Sequence, residues 1–199
     1  MGKRSNGPLV ELLIAFVVVY LLQLVTAPAG LVGGLFVLTP PLSENPWTVV
    51  TSVYAHGGLG HLVSNAVALV VFGWPVARAT TRLRFHLFFL LTGAIAGVSQ
   101  ILFSDALAAV PLFGFSATPG VLGASGGVFA VLGYLLASNR LSGTLGAILA
   151  VPRWLTLVVF LAIAGTLTLA TATPGAALIA HFTGLTVGLA AGWVGVLRR

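Results

Sequence analysis

The sequence predicts an all-α, polytopic membrane protein: a bundle of six transmembrane helices with both termini on the cytoplasmic side. Three observations predict it. The 199 residues are 58% hydrophobic and only 6% charged, against about 25% charged residues in a soluble domain. Apolar runs of spanning length recur along the chain, and at about 1.5 Å per residue a hydrocarbon core near 30 Å takes roughly 20 residues. The basic residues stand in ones, twos and threes at the ends of those runs. That distribution fits cytoplasmic loops and not a nucleic-acid surface, although the formal charge is +6. Cysteine is absent from the sequence, which removes disulfides, thiol catalysis and thiolate metal sites.

The first span is Leu9 to Thr26. Lys3-Arg4 before it and Ala27-Pro28-Ala29 after it imitate a cleavable signal peptide, but the apolar run is longer than an ordinary signal core, so the segment reads as a retained helix. Leu31 to Leu42 is too short to span and ends in Pro40-Pro41, which makes it a loop at the interface. The second span is Gly58 to Ala77 and the third Arg84 to Phe103. Ala106 to Pro119 carries prolines and phenylalanines in a broken pattern and reads as another loop. The remaining spans are Val121 to Ser138, Trp154 to Ala172 and Ala176 to Leu197, giving one membrane domain over residues 1–199. With this count Lys3, Arg4, Arg78, Arg82, Arg84, Arg140, Arg153, Arg198 and Arg199 all fall on one side. Glu44 and Asp105 fall in the opposite loops, and Glu11 at the cytoplasmic end of the first helix.

Ionisable groups inside a span are costly and point to function. His61 lies roughly 26 Å above Arg78, Ser125 roughly 22 Å above Arg140 and His181 roughly 26 Å above Arg198, at 1.5 Å per residue. Three helices therefore bring polar groups to one layer. A serine hydroxyl needs a neighbouring base, and imidazole suits that work near neutral pH, so Ser125 and His181 form a candidate nucleophile and base. Gly123-Ala124-Ser125-Gly126-Gly127 surrounds the hydroxyl with small residues, and an apolar helix follows. Ser125 then sits at a helix N-terminus, where free N–H groups and the helix dipole favour an oxyanion. Gly184, Gly188 and Gly192 form a small-residue ladder that would draw the sixth helix against the fourth and bring His181 to Ser125. No carboxylate is placed to complete a triad, so a dyad is expected. Phe129, one turn after Ser125, is placed to stack on the imidazole. His61 and Asn65, at i and i+4, point donors to one place, as a developing oxyanion requires. His56, at the loop edge, reads as part of an interhelical hydrogen-bond network, and His86 as a solvated residue among the cytoplasmic arginines.

With those residues in place, the chain from about Trp47 onward resembles a minimal six-helix rhomboid protease of the prokaryotic type. The resemblance is carried by His56, His61 and Asn65 in H-x-x-x-x-H-x-x-x-N, by Gly123, Ser125 and Gly126 in G-x-S-G, and by Ala180, His181, Gly184 and Gly188 in A-H-x-x-G-x-x-x-G. It implies a multi-pass protein of the cell membrane that cleaves other transmembrane proteins near their outer ends, without metal or cofactor. It also implies that Ser125 attacks, that His181 is the base, and that His61, Asn65 and the N–H groups of Ala124 and Ser125 form the oxyanion hole. His56, Gly123, Gly126, Phe129 and Gly184 would support the site, and the fifth helix and first external loop would be candidate gates. The chain departs from the family pattern at Trp47-Thr48, where Trp-Arg is common, and at Ala77 and Thr81, in place of an acidic residue and a glycine. These positions bear on loop structure.

Other readings are weaker. Zinc on His56, His61 and His181 lacks H-E-x-x-H and any nearby glutamate. A catalytically silent relative that binds transmembrane helices sits poorly with an intact Ser125 and His181, and an ion-coupled transporter with the lack of a buried carboxylate or paired charge.

Overall fold

A computed structural model of the chain describes residues 7–110, 116–138, 153–170 and 177–198. The regular secondary structure of the described residues is helical, apart from a single antiparallel bridge between Leu38 and Val121. The helices are α1 (Gly7–Thr26), α2 (Val32–Phe36), α3 (Thr48–Thr51), α4 (Leu59–Ala79), α5 (Arg82–Ala108), α6 (Ser125–Ser138), α7 (Arg153–Ala170) and α8 (Leu178–Val194). Among the described residues, three stretches are long and apolar enough to cross a membrane: Gly7–Ala29, in which a 3-10 turn extends α1, Leu59–Ala79 and Arg82–Ala108. Helices α6 and α8 are shorter and also apolar.

Two expectations need correcting. The third span does not stop at Phe103: α5 runs on through Asp105 to Ala108, into the stretch expected to be a loop, of which 111–115 lie outside the described residues. The fourth helix starts at Ser125 and not at Val121. Residue Val121 is held extended by two hydrogen bonds with Leu38, N–H to O at 2.9 Å in both directions, so the chain cannot enter the helix until the loop has passed. Leu31 to Leu42 is the expected loop, with the short α2 inside it. It is tied to α3 by Trp47 Nε1, which donates to Gly34 O at 2.9 Å, and by Thr51 Oγ1, which donates to Leu35 O at 2.6 Å.

The core lies where α1, α4, α5 and α6 meet, with Leu12, Phe16, Leu69, Phe85, Phe89 and Val131 nearly inaccessible. Burial of such side chains contributes about 1.5–3 kcal/mol each where water is the alternative. Between helices already in lipid that drive is gone, and close packing takes its place. The closest seam joins α6 to α8. A Cβ added at Gly184, Gly188 or Gly192 would overlap the carbonyl oxygens of Gly126, Ala130 and Tyr134, and one at Gly133 that of Leu185. The predicted ladder thus meets the predicted partner helix. Outward faces carry Val10, Ile14, Val17, Leu21, Val63, Val67, Leu91 and Ile95, all exposed.

The basic residues that are described gather at one end. Arg78 ends α4 with its guanidinium 4.5 Å over the Trp74 ring, Arg82 and Arg84 open α5, and Arg84 Nη1 donates to Arg198 O at 2.7 Å. Lys3, Arg4, Arg140 and Arg199 lie outside the described residues, as does the side chain of Arg153. His86 is not simply solvated: its Nε2 lies 2.7 Å from Glu11 Oε2, while Arg82 binds the other carboxylate oxygen. The acid at the end of α1 holds both groups.

Candidate active site

At the opposite end, α4, α6 and α8 all begin, and their first turns surround a cleft of about 1280 Å³. His61, Asn65, Gln100, Thr118, Ser125, Phe129 and His181 line it. Ser125 is the first residue of α6 and half-buried. His181 is in the first turn of α8, and its Nε2 stands 2.9 Å from Ser125 Oγ. The distance is that of a hydrogen bond in which the hydroxyl donates to a neutral imidazole, leaving the ring proton on Nδ1. That Nδ1 is buried and has no partner among the described residues. Phe129 stacks on the ring, with centroids 4.5 Å apart and planes 19° from parallel. An aromatic face therefore fixes the imidazole where a carboxylate would do so in a triad.

His61 lies across the cleft. Gly57 N–H donates to its Nδ1 at 3.3 Å, so the proton of the neutral ring belongs on Nε2. The ring packs over Gly123: a Cβ there would lie 2.8 Å from His61 Cε1, 3.1 Å from Nε2 and 3.7 Å from Ser125 Oγ. Gly123 also has φ +143°, which an L side chain resists, so both backbone and space require glycine. Its N–H donates to Ser52 O at 2.9 Å, fixing the turn into α6. The amides of Ala124 and Ser125 precede the first helical bond of α6, from Val128 N–H to Ala124 O, and have no intrahelical acceptor. Asn65 is buried, and its Nδ2 donates to His61 O at 2.9 Å, which leaves its second amide hydrogen for the cleft.

His56 does not enter the cleft. It is 2% exposed, with its ring edge-on to Phe16 (4.9 Å) and to His61 (5.3 Å), so it backs His61 instead of facing a substrate. Its N–H donates to Gln23 Oε1 of α1 at 2.9 Å. That bond ties the loop ahead of α4 to α1 through the backbone; the imidazole itself makes no interhelical hydrogen bond among the described residues, contrary to expectation. Gly126 lies against Ala96 of α5, and Gly184 against Gly126, as helix-packing positions. The described residues contain no group of three or more His, Cys, Asp or Glu able to hold a metal ion.

A rhomboid domain model matches residues 43–198, which is most of the chain. The chain belongs to the rhomboid family. With its apolar helices, this rhomboid is a multi-pass membrane protein. It is similar to mouse rhomboid-related protein 2, with 28% identity over 111 residues, 56% of this chain. The match covers 33% of the length of that protein.

Sequence reasoning followed the histidines and Asn65 and missed two glutamines. Gln23 and Gln100 are both buried, at 6% and 7% exposure, and each bonds a backbone N–H of a different element. A glutamine inside an apolar run was the available signal, since a primary amide in lipid is also costly unless paired.

Proposed function

We propose that this rhomboid is an intramembrane serine endopeptidase that cleaves transmembrane segments of other membrane proteins near their outer ends. The observation that carries the reading is the 2.9 Å contact between Ser125 Oγ and His181 Nε2 inside a cleft of a membrane-embedded bundle. Ser125 Oγ attacks the scissile carbonyl carbon while His181 Nε2 takes the hydroxyl proton. The tetrahedral intermediate collapses with cleavage of the C–N bond, and His181 returns that proton to the leaving amine. Water then hydrolyses the acyl-serine with the same base, releasing the carboxylate product and free Ser125. The oxyanion is held by Nε2–H of His61, the spare amide hydrogen of Asn65 and the N–H groups of Ala124 and Ser125, fixed donors in a site partly shielded from bulk water.

The reading includes six spans, one domain and a cytoplasmic location for the arginine end, which puts the cleft toward the outer face. Substrates with helix-destabilising or small residues near the scissile bond fit best, because an intact helix hides its peptide bonds. Leu167 of α7 lines the cleft beside Phe129 and Leu132, which favours α7 over the first external loop as the gate.

The test is labelling of the detergent-purified protein by a fluorophosphonate, with the modified residue mapped by mass spectrometry. Modification of Ser125, and cleavage of a helical substrate lost in Ser125→Ala, is expected. Absence of labelling and cleavage, with flux of a small solute or binding of helices instead, would replace the peptidase by a transporter or a silent relative.

A further inference from the structure

We propose that Gln100 is a positioning residue for the Ser125–His181 pair, holding the first turn of α8 and the loop ahead of α6 through a single amide. The inference rests on the peptidase reading above. Helix α8 starts at Leu178 with no side-chain cap from Ala177, and its first internal bond is from His181 N–H to Ala177 O at 3.0 Å. The N–H of Ala180 comes one residue too early to share in the helix ladder, and Ala180 is 4% exposed. Gln100 of α5 supplies the missing acceptor: its Oε1 takes that N–H at 3.1 Å. The residue bonded in this way is the immediate neighbour of the base.

The other half of the amide reaches the loop. Gln100 Nε2 donates to Thr118 Oγ1 at 2.8 Å, and Ser104, one turn further along α5, accepts from Thr118 N–H at 3.0 Å. The amide cannot be turned over, because Ala180 N–H only donates and must face the oxygen. Helix α5 thus carries two anchors of different reach. Ser104 holds the loop alone, whereas Gln100 holds the loop and the terminus that bears His181. The glycine seam fixes α8 along its length but contains no group that fixes its first turn. Without Gln100, that turn is held among the described residues only by packing and by the His181–Ser125 contact itself, and His181 Nε2 drifts relative to Ser125 Oγ. A misplacement of about 1 Å in a reacting pair costs on the order of 10²-fold in rate.

The rate of fluorophosphonate labelling reads this directly, since it depends on the reactivity of Ser125 and not on docking of a helical substrate. Wild type, Gln100→Met, Gln100→Glu and Ser104→Ala would be compared as full-length protein in detergent, with thermal unfolding recorded for each. Gln100→Met should label about 10-fold to 100-fold more slowly than wild type. Gln100→Glu keeps an oxygen for Ala180 N–H and should recover to within several-fold. Ser104→Ala, which loses only a loop anchor, should label at close to the wild-type rate. If Gln100→Met does not fold, Gln100→Asn takes its place with the same loss required, since its amide is one methylene short of both partners. Equal labelling of Gln100→Met and wild type would overturn the proposal. So would an equal loss in Ser104→Ala, which would assign the effect to the loop, or no recovery in Gln100→Glu. A wild type that takes no label at Ser125 would instead remove the peptidase reading, and the proposal with it.

Discussion

Two ends of this bundle each hold an imidazole in a hydrogen bond of similar length, and only one has the makings of a catalyst. At the end where α4, α6 and α8 begin, His181 lies 2.9 Å from a serine hydroxyl, with its far nitrogen unpartnered and its face on Phe129. At the other end His86 lies 2.7 Å from Glu11, beside Arg82 and partly exposed. The carboxylate gives His86 an ionic partner and no nucleophile. The hydroxyl gives His181 a proton to take and nothing ionic to compete for the ring. Chemistry here follows from what surrounds the imidazole: neutral groups, helix N-termini and a cleft at one end, and exposed charges at the other.

The sharpest test removes the ring at the first end. In His181→Ala, labelling and cleavage should fall by at least about 10³-fold, because removing one member of a cooperating pair disables both. The helix content by circular dichroism should stay at the wild-type level. Labelling that persisted in His181→Ala but vanished in His61→Ala would move the base to α4 and undo the contrast drawn above.

The next effect comes from the seam that brings the pair together. Gly188→Val places side-chain atoms against Ala130 O of α6, and backbone cannot yield as a flexible side chain can. Overpacking of this kind costs about 1–3 kcal/mol or more. A lowered melting temperature and loss of labelling are expected together. Full activity in a stable Gly188→Val protein would mean that α6 and α8 are not held where the glycines put them.

Smaller again is the oxyanion contribution. Asn65→Ala should lower turnover by about 10²-fold to 10³-fold with KM nearly unchanged, since such a donor acts mainly in the transition state. Steady-state cleavage of a helical substrate separates the two parameters. A change confined to KM would make Asn65 a substrate-binding residue.

How much of this was legible in the sequence depended on whether the signal was local. Helix over the body of each predicted span, where described, follows from apolar length, and the α6–α8 seam from glycines four apart, because both patterns lie within one segment. Ser125, His61 and His181 were singled out by their shared depth, since helices of known rise turn sequence distance into height, together with the small residues around Ser125 and the motifs that hold the two histidines. The start of α6 was misplaced because Val121 is held by Leu38, 83 positions earlier in the chain, and no local pattern reports a bridge of that kind. The same holds for Gln23 and Gln100, whose partners His56 and Ala180 lie on other elements. His86 looked solvated for the same reason: its acid is on α1.

That last residue gives the smallest predicted effect and closes the comparison. Glu11, Arg82 and His86 stand at an exposed helix end, with side chains 33%, 66% and 30% accessible. Exposed ion pairs contribute about 0–1 kcal/mol, because water solvates the separated charges almost as well as they solvate each other. His86→Ala should therefore melt within about 1 kcal/mol of wild type. Labelling should proceed at the wild-type rate, because the residue opens α5 at the end remote from the cleft. Glu11→Gln removes the shared partner of both cations and should behave alike. If either substitution slowed fluorophosphonate labelling by tenfold or more while the protein stayed folded, the charged end would be coupled to the cleft along α5. The two ends would then have to be treated as one device.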